Sequence, residues 1–196
     1  MTRWLTLLTA LVTVLALGGC AHPISLQSDT GTLVGLGGGR KIDRKVALAI
    51  PEAQKAREVT SAGGGGDQVS YFPYRDLETG LYVVLSESFT GVARVGSVDD
   101  PKVAQEGASL VFVPEITTTS FSPSLLTWPP TVFTVTIDAT VRTPANAVVT
   151  QVRAQGEGRA EFDEFKSDFS LSARRAAQDA LRKFHEAIRA AADRLR

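Results

Sequence analysis

Side chains able to do chemistry are scarce in this sequence. Of 196 residues one is cysteine, Cys20, and two are histidines, His22 and His185. A two-His metal centre or a Ser-His-Asp triad needs groups that can meet. His22 stands two residues from Cys20, and His185 falls on the charged side of a C-terminal helical pattern, so both read as solvated. The acidic cluster Glu157, Glu161, Asp163 and Glu164 could supply paired carboxylates for glycoside hydrolysis. On a strand Glu157 and Glu161 share a face but lie about 13 Å apart, too far for either hydrolytic geometry. Arg153, Arg159 and Lys166 interleave with them, which fits a charge-paired wet face better. The glycines of residues 35–39 would cradle a phosphate only as G-x-x-x-x-G-K-[ST] behind a strand. Here Gly39 leads into Arg40-Lys41-Ile42 with no strand before it. No catalytic residue, metal site or cofactor is expected.

Cys20 carries the one chemical assignment. Arg3 gives a basic start, residues 5–17 form an apolar run broken only by threonine, and Gly18 and Gly19 precede the cysteine. This is the grammar of a secretory signal peptide. The run is shorter than the roughly 20 residues of a spanning helix. Leu17-Gly18-Gly19-Cys20 resembles the bacterial lipobox. That resemblance implies a lipid thioether on Cys20, which becomes the mature N-terminus, and hence a membrane as partner through the lipid. An ordinary export signal with an incidental cysteine is the alternative. The expected organisation is a signal peptide over 1–19, a lipidated N-terminus and flexible tether over 20–40, and a single periplasmic domain over 41–196. The polar, Gly-rich composition of residues 21–40 is what suggests a tether. With Cys20 modified no thiol is left for a disulfide, so the domain depends on its core.

Lysine plus arginine equals aspartate plus glutamate, 21 each, and no broad basic surface argues for nucleic acid. Residues 45–50 form a short apolar run stopped by Pro51, which suits a buried first strand. Residues 63–66 are four glycines, a mobile loop. Asp76 looks like an N-cap, with Leu77, Leu81, Val84 and Leu85 at helical spacing, so a helix is expected over 76–89. The group Tyr71, Phe72 and Tyr74 reads as core, with a second interface patch as the alternative. Residues 92–95 make a second strand and residues 110–119 a long third. Strict alternation over 131–143 and 148–162 gives an antiparallel hairpin with one apolar face. Its expected register sets Ile137 opposite Ala154, Val135 opposite Gly156, Phe133 opposite Gly158 and Asp138 opposite Arg153. Residues 170–196 carry an apolar, alanine-rich stripe at i, i+3, i+4 spacing, a long closing helix lying close on the glycine side of the last strand.

The loop over 121–130 is apolar and rich in proline. Phe121, Leu125, Leu126 and Trp128 form either a lid over one end of the core or an exposed patch that marks an interface. The order strand, helix, strand, strand, strand, helix gives an α+β sandwich, a mostly antiparallel sheet with two helices on one face. With Leu17–Cys20, the strand at Val46–Ile50, the hairpin and the closing helix, the chain resembles a group of Gram-negative envelope lipoproteins. They include YajG-type lipoproteins, transport-auxiliary lipoproteins of lipid ABC systems, and domains like the TolB N-terminal domain. The resemblance implies a TolB N-terminal-like sandwich, and Ala21 beside the cysteine implies the outer membrane. It points to a non-catalytic accessory protein with an envelope protein partner, or to a lipid- or glycolipid-binding component of a transport system. An exposed edge strand would also permit a homo-oligomer.

Overall fold

The computed structural model describes residues 21–64, 66–123, 129–165 and 167–196. Its main sheet has five strands: β2 (Ile42–Ala49), β5 (Phe89–Val95), β6 (Leu110–Phe121), β7 (Val132–Arg142) and β8 (Val148–Arg159). They lie in the order β5-β2-β6-β7-β8. A smaller sheet orders β1 (His22–Pro23), β4 (Gln68–Tyr71) and β3 (Val59–Ala62). The helices are α1 (Glu52–Lys55), α2 (Pro73–Ser88), α3 (Pro101–Gln105), α4 (Phe162–Phe165), α5 (Leu171–Ala190) and α6 (Ala192–Leu195). The class is α+β, with α2 and α5 on one face of the main sheet.

That sheet is mixed, with its antiparallel ladders the longer. β2 pairs in parallel with both β5 and β6, while β6, β7 and β8 are antiparallel neighbours. The cause lies in the connections: β5 and β6 each follow a helix, α2 or α3, and a helical crossover returns the next strand parallel. β2 is accordingly buried on both faces. Val46 and Leu48 join the main core under α2 and α5, whereas Ala47 and Ala49 pack with Val95, Val103 and Val111 under α3. This explains the unbroken apolar run read in the sequence.

The hairpin has the expected register at Ile137–Ala154, Val135–Gly156, Phe133–Gly158 and Asp138–Arg153. A bulge beside its turn pairs Arg142 with Val148 and turns Val148 out to 58% exposure. α5 packs on the glycine face. A Cβ on Gly156 would sit 2.1 Å from the Ala180 amide nitrogen, and one on Gly158 would sit 2.0 Å from the Ser172 carbonyl oxygen. Ala173, Ala176, Ala177 and Ala180 are fully buried there. Small residues on both partners bring helix and strand backbones together.

Several expectations are corrected. The helix expected from Asp76 starts at Pro73, a residue suited to the first helical position because it lacks an N–H. Asp76 is not its cap but a buried acceptor within it. Gly63, Gly64 and Gly66 stand between β3 and β4, where the Gly63 N–H donates to the Asp67 carbonyl at 2.9 Å. His185 is 5% exposed rather than solvated, because it follows Leu181 by four residues and shares the buried stripe of α5. Residues 21–40 are no tether. Ile24, Leu26 and Leu33 are buried in the main core, and Asp29 caps a 3-10 turn over Thr30–Leu33. Three apolar side chains suffice to bind this polar stretch, since burying each can be worth about 1.5–3 kcal/mol.

Candidate functional site

The residues behind Cys20 enter the fold almost at once. His22 and Pro23 pair in parallel with Val69 and Ser70 of β4. The Ile24 N–H donates to the Ser70 carbonyl at 2.9 Å, and the Ser25 N–H donates to Ser170 Oγ at 3.1 Å. The Leu26 N–H then donates to Asp76 Oδ2 at 2.9 Å inside the core. Alternation drives this: Ile24 and Leu26 point inward while Pro23 and Gln27 stay exposed. Cys20 itself and residues 1–19 lie outside the described residues. One residue, Ala21, separates Cys20 from β1.

The same end of the molecule carries the tip of β6. β2 pairs with β6 only through Leu110–Phe112, so the β6–β7–β8 half of the sheet runs on well past β2. The small sheet braces this overhang. Ser61 Oγ lies 2.7 Å from Ser120 Oγ, Ser120 also donates to the Ala62 carbonyl, and the Tyr71 hydroxyl lies 2.7 Å from Thr118 Oγ1. Phe121 ends β6 opposite Val132 and is 60% exposed. Pro129 and Pro130 are buried, and the Pro130 carbonyl accepts from Ser172 Oγ at 2.5 Å. Leu125, Leu126 and Trp128 lie outside the described residues, so of the four expected interface residues Phe121 alone is placed. Both flanks of their loop stand at the end where β1 enters.

From this end residues 24–40 run beside α5 towards its C-terminus. Gln178 Nε2 donates to Thr32 Oγ1 at 2.6 Å, and Arg189 Nη1 donates to the Arg40 carbonyl at 2.5 Å. Twenty helical residues at 1.5 Å each separate the two ends by about 30 Å. Composition concealed this path. Its signals were the alternation of Ile24 and Leu26 and the Asp29 cap, masked by the glycines around them.

A cleft of about 690 Å³ opens at the far end, between the start of β2 and the end of α5 and α6. Arg40, Lys41, Arg44, Arg189 and Arg196 line it, against Asp43 and Asp193. A second cleft of about 620 Å³ flanks the first turns of α5, lined by Ser25, Gln27, Asp29, Arg174, Arg175 and Gln178. There the arginines are neutralised. Arg174 pairs with Asp168, and Arg175 grips both carboxylate oxygens of Glu164 at 2.8 and 2.9 Å. That fork holds the Glu164 carboxyl down at about 2. Glu157 pairs with Arg159 at 2.6 Å, so these members of the acidic cluster serve a solvated ionic face.

Among the described residues no group of three or more His, Cys, Asp or Glu could hold a metal ion. His22 Nε2 stands 3.9 Å from Asp67 Oδ2 at the β1 end. His185 is buried towards the far end with its Nε2 unpaired among the described residues. Burial pushes its imidazole below the ordinary value, and the Arg189 charge acts the same way. The two histidines do not come together.

Neither a family model nor a curated protein matches the sequence. Among solved structures the chain is similar to protein XCC0632 from Xanthomonas campestris, described under the family model DUF330. They share 10% identity at a TM-score of 0.53, over 89% of this chain and 96% of that one. It is also similar to a candidate lipoprotein from Caulobacter crescentus, at 13% identity and a TM-score of 0.37, over 83% of this chain and 96% of that one. The Xanthomonas likeness is one of fold alone, and it extends over nearly the whole described chain.

Proposed function

We propose that this chain is a non-catalytic lipoprotein of the bacterial envelope, held by a lipid on Cys20 and acting through contact with an envelope protein. The observation that carries the proposal is the seating of residues 22–26 directly behind Cys20. With Ala21 alone between the cysteine and β1, an anchor there holds one end of a rigid body against the bilayer. That body then faces away from the bilayer along α5. The layer between sheet and helices supports a protein partner over an enclosed lipid, because α5 rests on Gly156 and Gly158 with backbone against backbone. Ala21 next to the lipidated residue favours the outer membrane. A lipid- or glycolipid-binding component of a transport system is the second reading. It draws on Phe121, an exposed aromatic on the end that meets the bilayer.

Metabolic labelling with palmitate tests the anchor. The wild-type chain should incorporate label and fractionate with membranes, and Cys20→Ala should lose both. Site-specific crosslinking from position 121 separates the two readings. Crosslinks to one protein support the first, and crosslinks to lipid alone support the second. A Cys20→Ala chain that stays with the membrane fraction defeats the anchor assignment.

A further inference from the structure

We infer that the basic cleft at the end of α5 farthest from β1 receives an acidic segment of a partner protein. The chain as a whole is neutral, yet five cations meet two carboxylates around this one cleft. Their pairing sets them apart from the other basic residues of α5. Arg174, Arg175, Arg182 and Lys183 each hold a carboxylate on the surface, Asp168, Glu164 or Asp179. At the cleft Arg40, Lys41 and Arg44 have no carboxylate within 4.0 Å among the described residues, and Arg189 is turned to the Arg40 carbonyl. Arg196 alone is paired, with Asp193 at 3.0 Å. Cations gathered in a concavity in excess of its carboxylates raise the local potential and attract anions.

The character of the anion follows from the backbone. Compact phosphates are commonly seated on amide nests or helix N-termini, with arginines added around them. This cleft receives the C-terminal end of α5, whose carbonyls carry partial negative charge. Part of the local basic charge answers that dipole, but Arg40, Lys41 and Arg44 come from the start of β2 and have no such duty. The positive charge is spread over long side chains from the start of β2 and from the ends of both C-terminal helices, a layout that suits several carboxylates along a peptide. Headgroups of the anchoring bilayer are out of reach if Cys20 is the anchor, since the cleft lies about 30 Å further along α5. This last point rests on the reading given under Proposed function; the charge layout does not.

The test uses the full chain purified in a non-ionic detergent and a fluorescein-labelled hexaglutamate peptide, read by anisotropy. Wild type should bind, with affinity falling as salt rises. Arg40→Gln combined with Arg44→Gln removes two of the five cations and should weaken binding by about tenfold or more. Arg182→Gln, on a paired arginine outside the cleft, should not change it. Asp43→Asn with Asp193→Asn should tighten binding, an outcome that misfolding cannot produce. The idea is overturned if the Arg40/Arg44 variant binds like wild type. It is equally overturned if inorganic phosphate or phosphatidylglycerol vesicles bind while the peptide does not. Cys20→Ala should bind the peptide as wild type does, so loss of the anchor and loss of the cleft are separate results.

Discussion

Asp76 shows how a single side chain decides what a whole segment does. As a helix cap it would have left residues 21–40 free; as a buried acceptor for the Leu26 N–H it ties them to α2. Asp76→Ala would leave that amide buried without a partner, and the expected loss is about 1–3 kcal/mol. Urea denaturation measures it, and faster hydrogen exchange at the Leu26 amide locates it. Asp76→Asn keeps an acceptor and should restore part of the loss. His185 gives a matching prediction in pH. Its imidazole is lowered in the folded state, with burial the main cause and Arg189 adding to it, while Glu87 and Glu186 pull the other way. As pH falls, the unfolded chain takes up this proton first, so the contribution is complete above pH 6.5 and is lost as pH drops below it. Thermal midpoints should decline through that range, and His185→Leu should flatten the decline. Glu164 acts lower, between its ordinary value of 4.5 and about 2, where loss of the Arg175 fork adds to acid sensitivity.

At the scale of elements, the β7–β8 hairpin and α5 were legible because each rests on one uninterrupted period. Alternation set the register of the hairpin, and the alanine stripe told which face of the helix would meet the glycines. Parallel pairing was harder to read. It depends on what lies between strands, and the short α3 left only Pro101 and a few polar residues as its trace. The site was legible only as a signal of attachment at Cys20. The cleft was not, because Arg40–Arg44 and Arg189–Arg196 lie far apart in sequence and nothing local announces that they meet. The helix–strand contact yields a prediction of its own. Gly158→Ala drives a methyl into the Ser172 carbonyl and should cost about 3 kcal/mol in chemical denaturation. Gly91→Ala meets only the flexible Lys45 side chain at 3.1 Å and should stay within about 1 kcal/mol of wild type.

The whole molecule has two distinct ends, joined by α5 and by residues 24–40 running beside it. Because Leu26 is fully buried in the main core, Leu26→Ala should destabilise the entire chain by about 2–5 kcal/mol in one cooperative transition. A free tether would show no effect. The way α5 covers the sheet also bears on biogenesis. Phe133, Val135 and Ile137 lie under a helix whose residues follow them in the chain. A polypeptide emerging from its N-terminus must therefore carry an uncovered apolar sheet until residues 171–190 arrive, and a fragment cut short of them can never cover it. Protease sensitivity should then separate chains that lack residues 171–190 from chains that carry them, which makes this helix a check that synthesis has passed that point.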